Sequence, residues 1–281
     1  MTNNPYAVTG EPLPIPVSTA KGPIMAIGGA EDKLDDKIIL SAFVQLAGGR
    51  DARIVIVPTA SSIEAAGVRY KAIFLGLGAA SAEVVYIADR QDANGDAPLD
   101  LLQDATGIFL TGGNQLRLST ILGGTRAAEL IRHRNAQGAT VAGTSAGASI
   151  LSSYMVAFGA SGETPKQRMA QIVAGFSLAP DLIIDQHFRQ RDRIGRLLSL
   201  VAANPGLLGV GVDEDTAVLI NNDRVLEVLG RHSVTLVDGS DIYSDIHQVK
   251  GYGGVTISGA TLHVLTAGRR FDLVARRLLD R

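Results

Sequence analysis

The chain has 281 residues, of which 46% are hydrophobic, and a formal net charge of −2. This length and hydrophobicity suffice for a large α/β core, and the nearly balanced charge argues against a general nucleic-acid-binding protein. The sequence contains no cysteine, which excludes disulfides, thiolate metal sites and a cysteine nucleophile. Neither a signal peptide nor a membrane-spanning stretch is recognisable, so we expect a cytoplasmic protein without membrane contact.

The N-terminal segment is rich in proline. Four of the ten prolines lie between Pro5 and Pro16, a composition typical of extended chain rather than of a packed core. We therefore predict a flexible arm over residues 1–21 and a single domain over residues 22–281.

Strands and helices alternate through the first half of the domain. The predicted strands are Ile24–Ile27, Arg53–Val57, Glu83–Ile87, Gly107–Leu110 and Ala139–Ala142. The predicted helices are Asp35–Ala47, Ile63–Leu77, Leu116–Leu122 and Thr125–Ala136. This alternation predicts an α/β fold with a parallel sheet and helices on both faces, and the active site of such a sheet lies at the carboxyl ends of its strands.

The second half has a different pattern. A strand at Leu182–Ile184 precedes a helix at Arg189–Ala203. Two apolar runs then flank Asn221–Asp223, which is a hairpin signature. Further strands at Val234–Val237 and Leu262–Leu265 are expected to continue this antiparallel extension along one edge of the sheet.

The segment Gly143–Gly147 has the Gly-x-Ser-x-Gly pattern of a nucleophile elbow. An apolar strand precedes it and a helix pattern follows, so the turn is sharp enough to need small residues on both sides of Ser145. Such a turn exposes the Ser145 hydroxyl and directs the Ala146 N–H toward the place where an oxyanion would develop. A glycine-rich helix entry with a buried serine is the alternative.

A serine nucleophile needs a base and a group that orients the base. Of the five histidines, His187 directly follows the Leu182–Ile184 strand and is expected at the same edge as Ser145. The orienting acid is either Glu163, in the loop between the elbow and His187, or Asp185. Sequence spacing does not distinguish these two.

Charged residues cluster near the predicted site. Arg189, Arg193 and Arg196 have the spacing of one helix face, which is solvated in most proteins but here begins at the predicted catalytic edge. At least one of these arginines is expected to bind a substrate carboxylate. The acids Asp213–Asp215 follow another strand, where they could bind a cationic group or cap the next segment.

Five motifs occur in an order that resembles the cyanophycinases, serine-type exopeptidases related to the peptidase E group. They are Gly28–Asp32, Phe109–Gln115, Gly143–Ala148, Asp185–Phe188 with the arginine-rich segment after it, and Gly211–Ala217. The resemblance implies a three-layer, flavodoxin-like (class I glutamine amidotransferase-like) α/β/α fold, a homodimer, and a Ser145–His187–Glu163 relay that uses no metal or other cofactor. The implied oxyanion hole consists of Gly113 and Ala146. The implied substrate-binding residues are Gln115, Asp185, Gln186, Arg191, Arg193 and Arg196.

The resemblance also implies the substrate. Cyanophycin is a polyaspartate with arginine attached to each side-chain carboxyl, and the expected product is the β-Asp-Arg dipeptide. A peptidase E-like aspartyl or isoaspartyl dipeptidase of the same scaffold is the nearest alternative. An α/β-hydrolase esterase would normally carry its histidine closer to the C-terminus than His187, and a binding protein without turnover would not need an intact relay.

Overall fold

The computed structural model describes residues 21–63 and 65–279; the predicted arm at 1–21 lies outside the described residues except for Lys21. In the first half the strands are β1 (Ile24–Ile27), β2 (Arg53–Val57), β3 (Ser81–Val84), β4 (Gly107–Leu110), β5 (Thr140–Thr144), β6 (Tyr154–Gly159) and β7 (Ala170–Ala174). In the second half they are β8 (Leu182–Gln186), β9 (Leu208–Val212), β10 (Thr216–Ile220), β11 (Val225–Gly230), β12 (Ser233–Asp238), β13 (Tyr243–Ser244), β14 (Ile257–Ser258), β15 (Thr261–Thr266), β16 (Arg270–Asp272) and β17 (Arg277–Leu278). The α-helices are α1 (Ile38–Leu46), α2 (Ala65–Gly76), α3 (Asp96–Gln103), α4 (Gln115–Leu122), α5 (Arg126–Ala136), α6 (Ala146–Ser149) and α7 (Ile194–Ala203).

A nine-stranded sheet has the order β17-β16-β11-β10-β1-β5-β4-β2-β3. Its half from β1 to β3 is parallel, as the strand–helix alternation predicted. The β10–β11 hairpin and the short strands beyond it pair antiparallel and extend the edge next to β1. The predicted α/β class, with a mostly parallel sheet and antiparallel C-terminal strands, is confirmed.

The prediction that all C-terminal strands extend this sheet is wrong. The strands β8, β9, β12 and β15 form a separate four-stranded sheet in the order β15-β12-β9-β8. β8 and β9 are parallel neighbours within it, whereas β12 pairs antiparallel with both β9 and β15. Hydrophobic periodicity identified these strands correctly but carries no information on which sheet a strand joins.

The first helix is shorter than the pattern indicated. Instead of starting near Asp35, α1 starts at Ile38. The side chain of Asp32 accepts hydrogen bonds from the N–H groups of Leu34 and Asp35, and its other carboxylate oxygen accepts one from Lys37 at 3.0 Å. These bonds stabilise a loop conformation over the residues that would otherwise form the first helical turn.

Helices cover both faces of the parallel strands. One face packs against α1 and α2 through an aromatic cluster, in which Phe43, Phe74 and Phe109 have ring centroids 5.1–5.4 Å apart. The other face packs against α3, α4 and α5, with Leu102 and Leu118 fully buried. Alternate residues of each parallel strand supply the two cores, which is the period-2 consequence of the pleat.

The four-stranded sheet packs on α6 with one face and carries α7 on the other. This packing brings the carboxyl ends of β8 and β9 next to the end of β5. Within the described residues, no helix is long and apolar enough to cross a bilayer.

Candidate active site

Ser145 lies in a sharp turn between β5 and α6. Its backbone has φ 51° and ψ −110°, a strained conformation for a residue with a side chain. A Cβ on Gly143 would lie 2.0 Å from the Gly147 carbonyl oxygen, and one on Gly147 would lie 2.2 Å from the Leu110 carbonyl oxygen. Glycine is therefore required on both sides of the serine, as expected of a nucleophile elbow.

Ser145, His187 and Glu214 form a hydrogen-bonded chain. The Ser145 Oγ lies 2.9 Å from His187 Nε2. On the opposite side of the imidazole, Nδ1 lies 2.6 Å from Glu214 Oε1. Since Nδ1 faces a carboxylate, it carries the ring proton of the neutral histidine, which leaves Nε2 free to accept the proton of Ser145.

The two partners of Ser145 come from neighbouring strands of the four-stranded sheet. His187 directly follows β8, and Glu214 follows β9 after one residue. Because β8 and β9 are parallel and paired in register, their carboxyl ends lie side by side. This pairing places the glutamate behind the histidine although the two residues are far apart in the sequence.

The prediction that Glu163 or Asp185 orients His187 is wrong in geometry. Glu163 lies exposed in the loop between β6 and β7, and the two ring nitrogens of His187 are paired with Ser145 and Glu214 instead. Asp185 is fully buried and paired with arginines. The acid beside His187 is Glu214, which belongs to the Asp213–Asp215 run. Three consecutive acids after a buried strand were the sequence feature that could have identified it.

The neighbours of Glu214 stabilise its loop. Asp213 is buried and accepts hydrogen bonds from the Arg189 N–H at 3.0 Å and from the Ser233 hydroxyl at 2.8 Å. Asp215 accepts one from the Asp32 N–H at 2.8 Å. Both flanking carboxylates are therefore engaged within the protein, and Glu214, whose side chain is 34% exposed, is the one directed at His187.

The loop after β1 supports both His187 and the Glu214 loop. The Gly28 carbonyl accepts the His187 N–H at 2.8 Å, and the Gly29 carbonyl accepts the Asp215 N–H at 2.9 Å. A Cβ on Gly29 would lie 2.4 Å from His187 Cε1, and Gly29 has φ 99°. The imidazole thus packs directly on a glycine that has no room for a side chain.

We expect Gly29→Ala to lower kcat by about 10- to 100-fold, because a displacement of the imidazole on the order of 1 Å can cost that much. The effect is measured as kcat and KM on the same substrate, and KM should change little. Gly78→Ala is the matched control, because Gly78 also has positive φ but a Cβ there would contact nothing within 4 Å. A Gly29→Ala enzyme with the kcat of Gly78→Ala would contradict the packing argument.

Two backbone N–H groups are available for an oxyanion. Within the described residues, neither the Ala146 N–H nor the Gly113 N–H donates to any acceptor. A Cβ on Gly112 would lie 3.2 Å from the Ser145 Cβ, so the loop after β4 approaches the serine closely. The geometry fits the predicted hole of Gly113 and Ala146, whose role stays a prediction.

The pKa of His187 lies below the usual histidine value of 6.5, chiefly because the ring is partly removed from water. The Glu214 hydrogen bond opposes this shift, whereas the charges of Arg191 and Arg193 reinforce it. The imidazole is therefore neutral, and able to act as a base, at neutral pH.

Replacing Arg191 by glutamine should move the acidic limb of the kcat/KM profile to higher pH. Arg191 lowers the pKa of His187, so its removal raises that pKa, and the base becomes protonated at a higher pH. The position of the limb is read independently of the maximal rate. Arg50→Gln, an exposed arginine on the 3₁₀ turn after α1, should leave the limb in place, and an unmoved limb in Arg191→Gln would refute the electrostatic assignment.

The other predicted substrate-binding arginines are mostly buried. Arg196 is 2% exposed and donates hydrogen bonds to both carboxylate oxygens of Asp185, with Nε 2.6 Å from Oδ2. Arg193 donates to Asp185 at 3.2 Å, and to both the backbone carbonyl and the side-chain oxygen of Gln186. Burial lowers the pKa of Arg193 to about 10. This value is still well above 7, so the guanidinium is charged at neutral pH.

The predicted helix face of arginines is therefore corrected. α7 begins at Ile194, and Arg189 lies on a separate 3₁₀ turn, so Arg189, Arg193 and Arg196 do not share a helical stripe. The fully buried Asp185 needs cationic partners, and Arg193 and Arg196 satisfy it. This cluster fixes Gln186, the residue that precedes His187, whereas Arg189 and Arg191 remain exposed.

A cavity of about 1240 Å³ opens beside Ser145. It is bounded by the loops after β1, β2 and β4, by α2 and α4, and by the end of β6. Gln115 lines it and donates to the Val156 carbonyl at 2.8 Å. Asp185, Gln186, Arg193 and Arg196 lie outside it, so the predicted binding residues do not form one surface.

Comparison with known proteins identifies the family to which the chain belongs. The profile of peptidase family S51 matches residues 24–228. The chain belongs to peptidase family S51. It is 42% identical over 262 residues to the cyanophycinase of Trichormus variabilis, covering 92% of this chain and 88% of that one. It is 39% identical over 252 residues to the cyanophycinase of Geminocystis herdmanii, covering 89% and 93%.

A solved structure shares the fold described above. The crystal structure of a peptidase from an acI-B1 Actinobacterium superposes with a TM-score of 0.67 at 20% identity, covering 90% of this chain and 98% of that one. The predicted resemblance to cyanophycinases and the assignment to serine-type peptidases are confirmed.

Proposed function

We propose that this S51 peptidase hydrolyses cyanophycin to β-Asp-Arg dipeptides. The observation that carries the proposal is the hydrogen-bonded chain from Ser145 through His187 to Glu214, in a chain 42% identical to a cyanophycinase along most of its length. The cavity beside the serine is larger than the roughly 300–1000 Å³ typical of small-molecule pockets. Such a volume favours a polymer segment over a single dipeptide.

The reaction starts with attack of the Ser145 hydroxyl on a backbone carbonyl of the polymer, while His187 Nε2 takes the hydroxyl proton. Glu214 accepts a hydrogen bond from the Nδ1–H group and stabilises the imidazolium that forms. The N–H groups of Ala146 and Gly113 stabilise the negative oxygen of the tetrahedral intermediate. His187 then protonates the leaving amine, and an acyl-enzyme on Ser145 remains.

A water molecule completes the cycle. His187, neutral again, removes a proton from the water, which attacks the acyl carbonyl. The second tetrahedral intermediate uses the same two N–H groups. Its collapse releases the carboxylic acid product and returns the proton to Ser145.

The test is a product analysis with insoluble cyanophycin. Purified enzyme should clear the suspension and release β-Asp-Arg, identified by mass spectrometry. An enzyme that leaves the polymer intact but cleaves α-aspartyl or isoaspartyl dipeptides would instead be a dipeptidase of the same scaffold. The expected homodimer and cytoplasmic location stay predictions.

A further inference from the structure

Two arginines that line the cavity beside Ser145 have guanidinium N–H groups without acceptors among the described residues. Four charged side chains are among the described residues that line it: Glu31, Lys33, Arg69 and Arg117. They lie apart from Arg191 and from the buried arginines around Asp185, none of which lines this cavity. The question is which of the four are available to a substrate.

Glu31 and Lys33 are engaged with each other and with the cavity floor. Glu31 is 3% exposed and accepts hydrogen bonds from the Tyr70 hydroxyl and, at 2.6 Å, from the Thr144 hydroxyl. Lys33 Nζ lies 2.9 Å from Glu31 Oε1. Burial and Glu31 raise the pKa of Tyr70, so its hydroxyl stays a donor. The only acid of the four is therefore satisfied inside the protein.

The Arg117 guanidinium is hydrogen-bonded within the protein through Nε but not, among the described residues, through its Nη groups. Its Nε donates to the Thr59 carbonyl at 2.9 Å, and its backbone N–H is capped by Asn114 at 3.0 Å. In the part of the chain that the structure describes, its Nη groups have no acceptor, and the side chain is exposed. This arrangement fixes the direction of the guanidinium and leaves its two Nη groups for a planar anion.

Arg69 faces the same cavity from α2. It makes no hydrogen bond or ion pair within the described residues. The hydroxyl of the adjacent Tyr70 donates to Glu31, which also accepts a hydrogen bond from Thr144, the residue before Ser145. Arg69 therefore lines the cavity directly next to a residue of this hydrogen-bonded group.

We propose that Arg69 and Arg117 form a carboxylate subsite that binds the free α-carboxylate of an arginyl branch of the substrate. This inference rests on the proposed function. Each branch of cyanophycin ends in one carboxylate and one guanidinium, and only the carboxylate complements two arginines whose Nη groups have no acceptor among the described residues. The exposed apolar side chains Leu116 and Phe158 also line the cavity and can cover the methylene groups of the branch.

The test compares two synthetic oligomers of β-Asp-Arg, one natural and one in which agmatine replaces each arginine. Agmatine keeps the chain and the guanidinium but has no carboxylate. On the natural oligomer, Arg69→Gln and Arg117→Gln should each lower kcat/KM by about 10- to 100-fold, as expected for loss of a charge-assisted bidentate contact. On the agmatine oligomer the wild-type enzyme should show a similar loss, and the variants less than about 3-fold more.

Arg50→Gln is the control and should behave as wild type on both oligomers. Equal losses of the variants on both oligomers would overturn the subsite, because the arginines would then support the cavity rather than bind the carboxylate. Unchanged activity of both variants on the natural oligomer would overturn it as well. A wild-type enzyme that leaves the natural oligomer intact would overturn the proposed function and the subsite with it.

Discussion

Ser145→Ala should abolish hydrolysis of cyanophycin, with a loss in kcat on the order of 10⁴-fold or more, as when a triad nucleophile is removed. The change deletes one oxygen at a turn whose geometry is set by Gly143 and Gly147. The fold and the N–H groups of the oxyanion hole should remain. The loss is measured as the initial rate of dipeptide release, alongside the thermal unfolding midpoint.

Ser62→Ala is a matched control, because Ser62 is exposed beside the same cavity, whereas the ring nitrogens of His187 are paired with Ser145 and Glu214. It should keep a rate within about twofold of wild type, since an exposed serine-to-alanine change has little effect. If Ser145→Ala retained a rate within tenfold of wild type, Ser145 would not be the nucleophile.

Glu214→Gln should lower kcat by about 10²- to 10⁴-fold. The glutamine amide can donate a hydrogen to Nδ1, which stabilises the tautomer with its proton on Nε2, and that tautomer cannot accept the proton of Ser145. The partial exposure of Glu214 lets the glutamine rotate away, so the loss is expected to be smaller than for Ser145→Ala. Single-turnover measurements on an activated substrate separate this chemical step from binding.

Glu163→Gln makes the same chemical change at the acid that the sequence first suggested. It should leave kcat within about twofold of wild type, because Glu163 is exposed and His187 Nδ1 is paired with Glu214. A severe loss in Glu163→Gln together with a mild one in Glu214→Gln would reverse the assignment and require a loop rearrangement in the enzyme–substrate complex.

The sequence was sufficient to predict that Ser145 and His187 lie together, because local rules determine the position of each residue. The elbow requires small residues within a five-residue window, and His187 directly follows a buried strand. Glu214 depends instead on the pairing of β8 with β9. Periodicity identifies each strand separately but does not reveal which strands are neighbours.

The prediction that Arg189, Arg193 and Arg196 share a helix face failed for a different reason. Their spacing is helical, yet α7 starts only at Ile194, and the role of Arg193 and Arg196 depends on the complete burial of Asp185. A carboxylate at a strand end is usually solvated, so nothing in the sequence indicated that Asp185 would need two cations. Arg69 and Arg117 lie on helices α2 and α4, whose charged residues had no distinguishing pattern.

The candidate relay crosses the seam between the two sheets. Ser145 follows a strand of the nine-stranded sheet, whereas His187 and Glu214 follow strands of the four-stranded one. Neither sheet alone contains a complete relay, so hydrolysis requires both sheets to be formed and packed together. During refolding, hydrolytic activity should therefore appear no earlier than this long-range packing, and a nascent chain cannot cleave peptides before both sheets have formed.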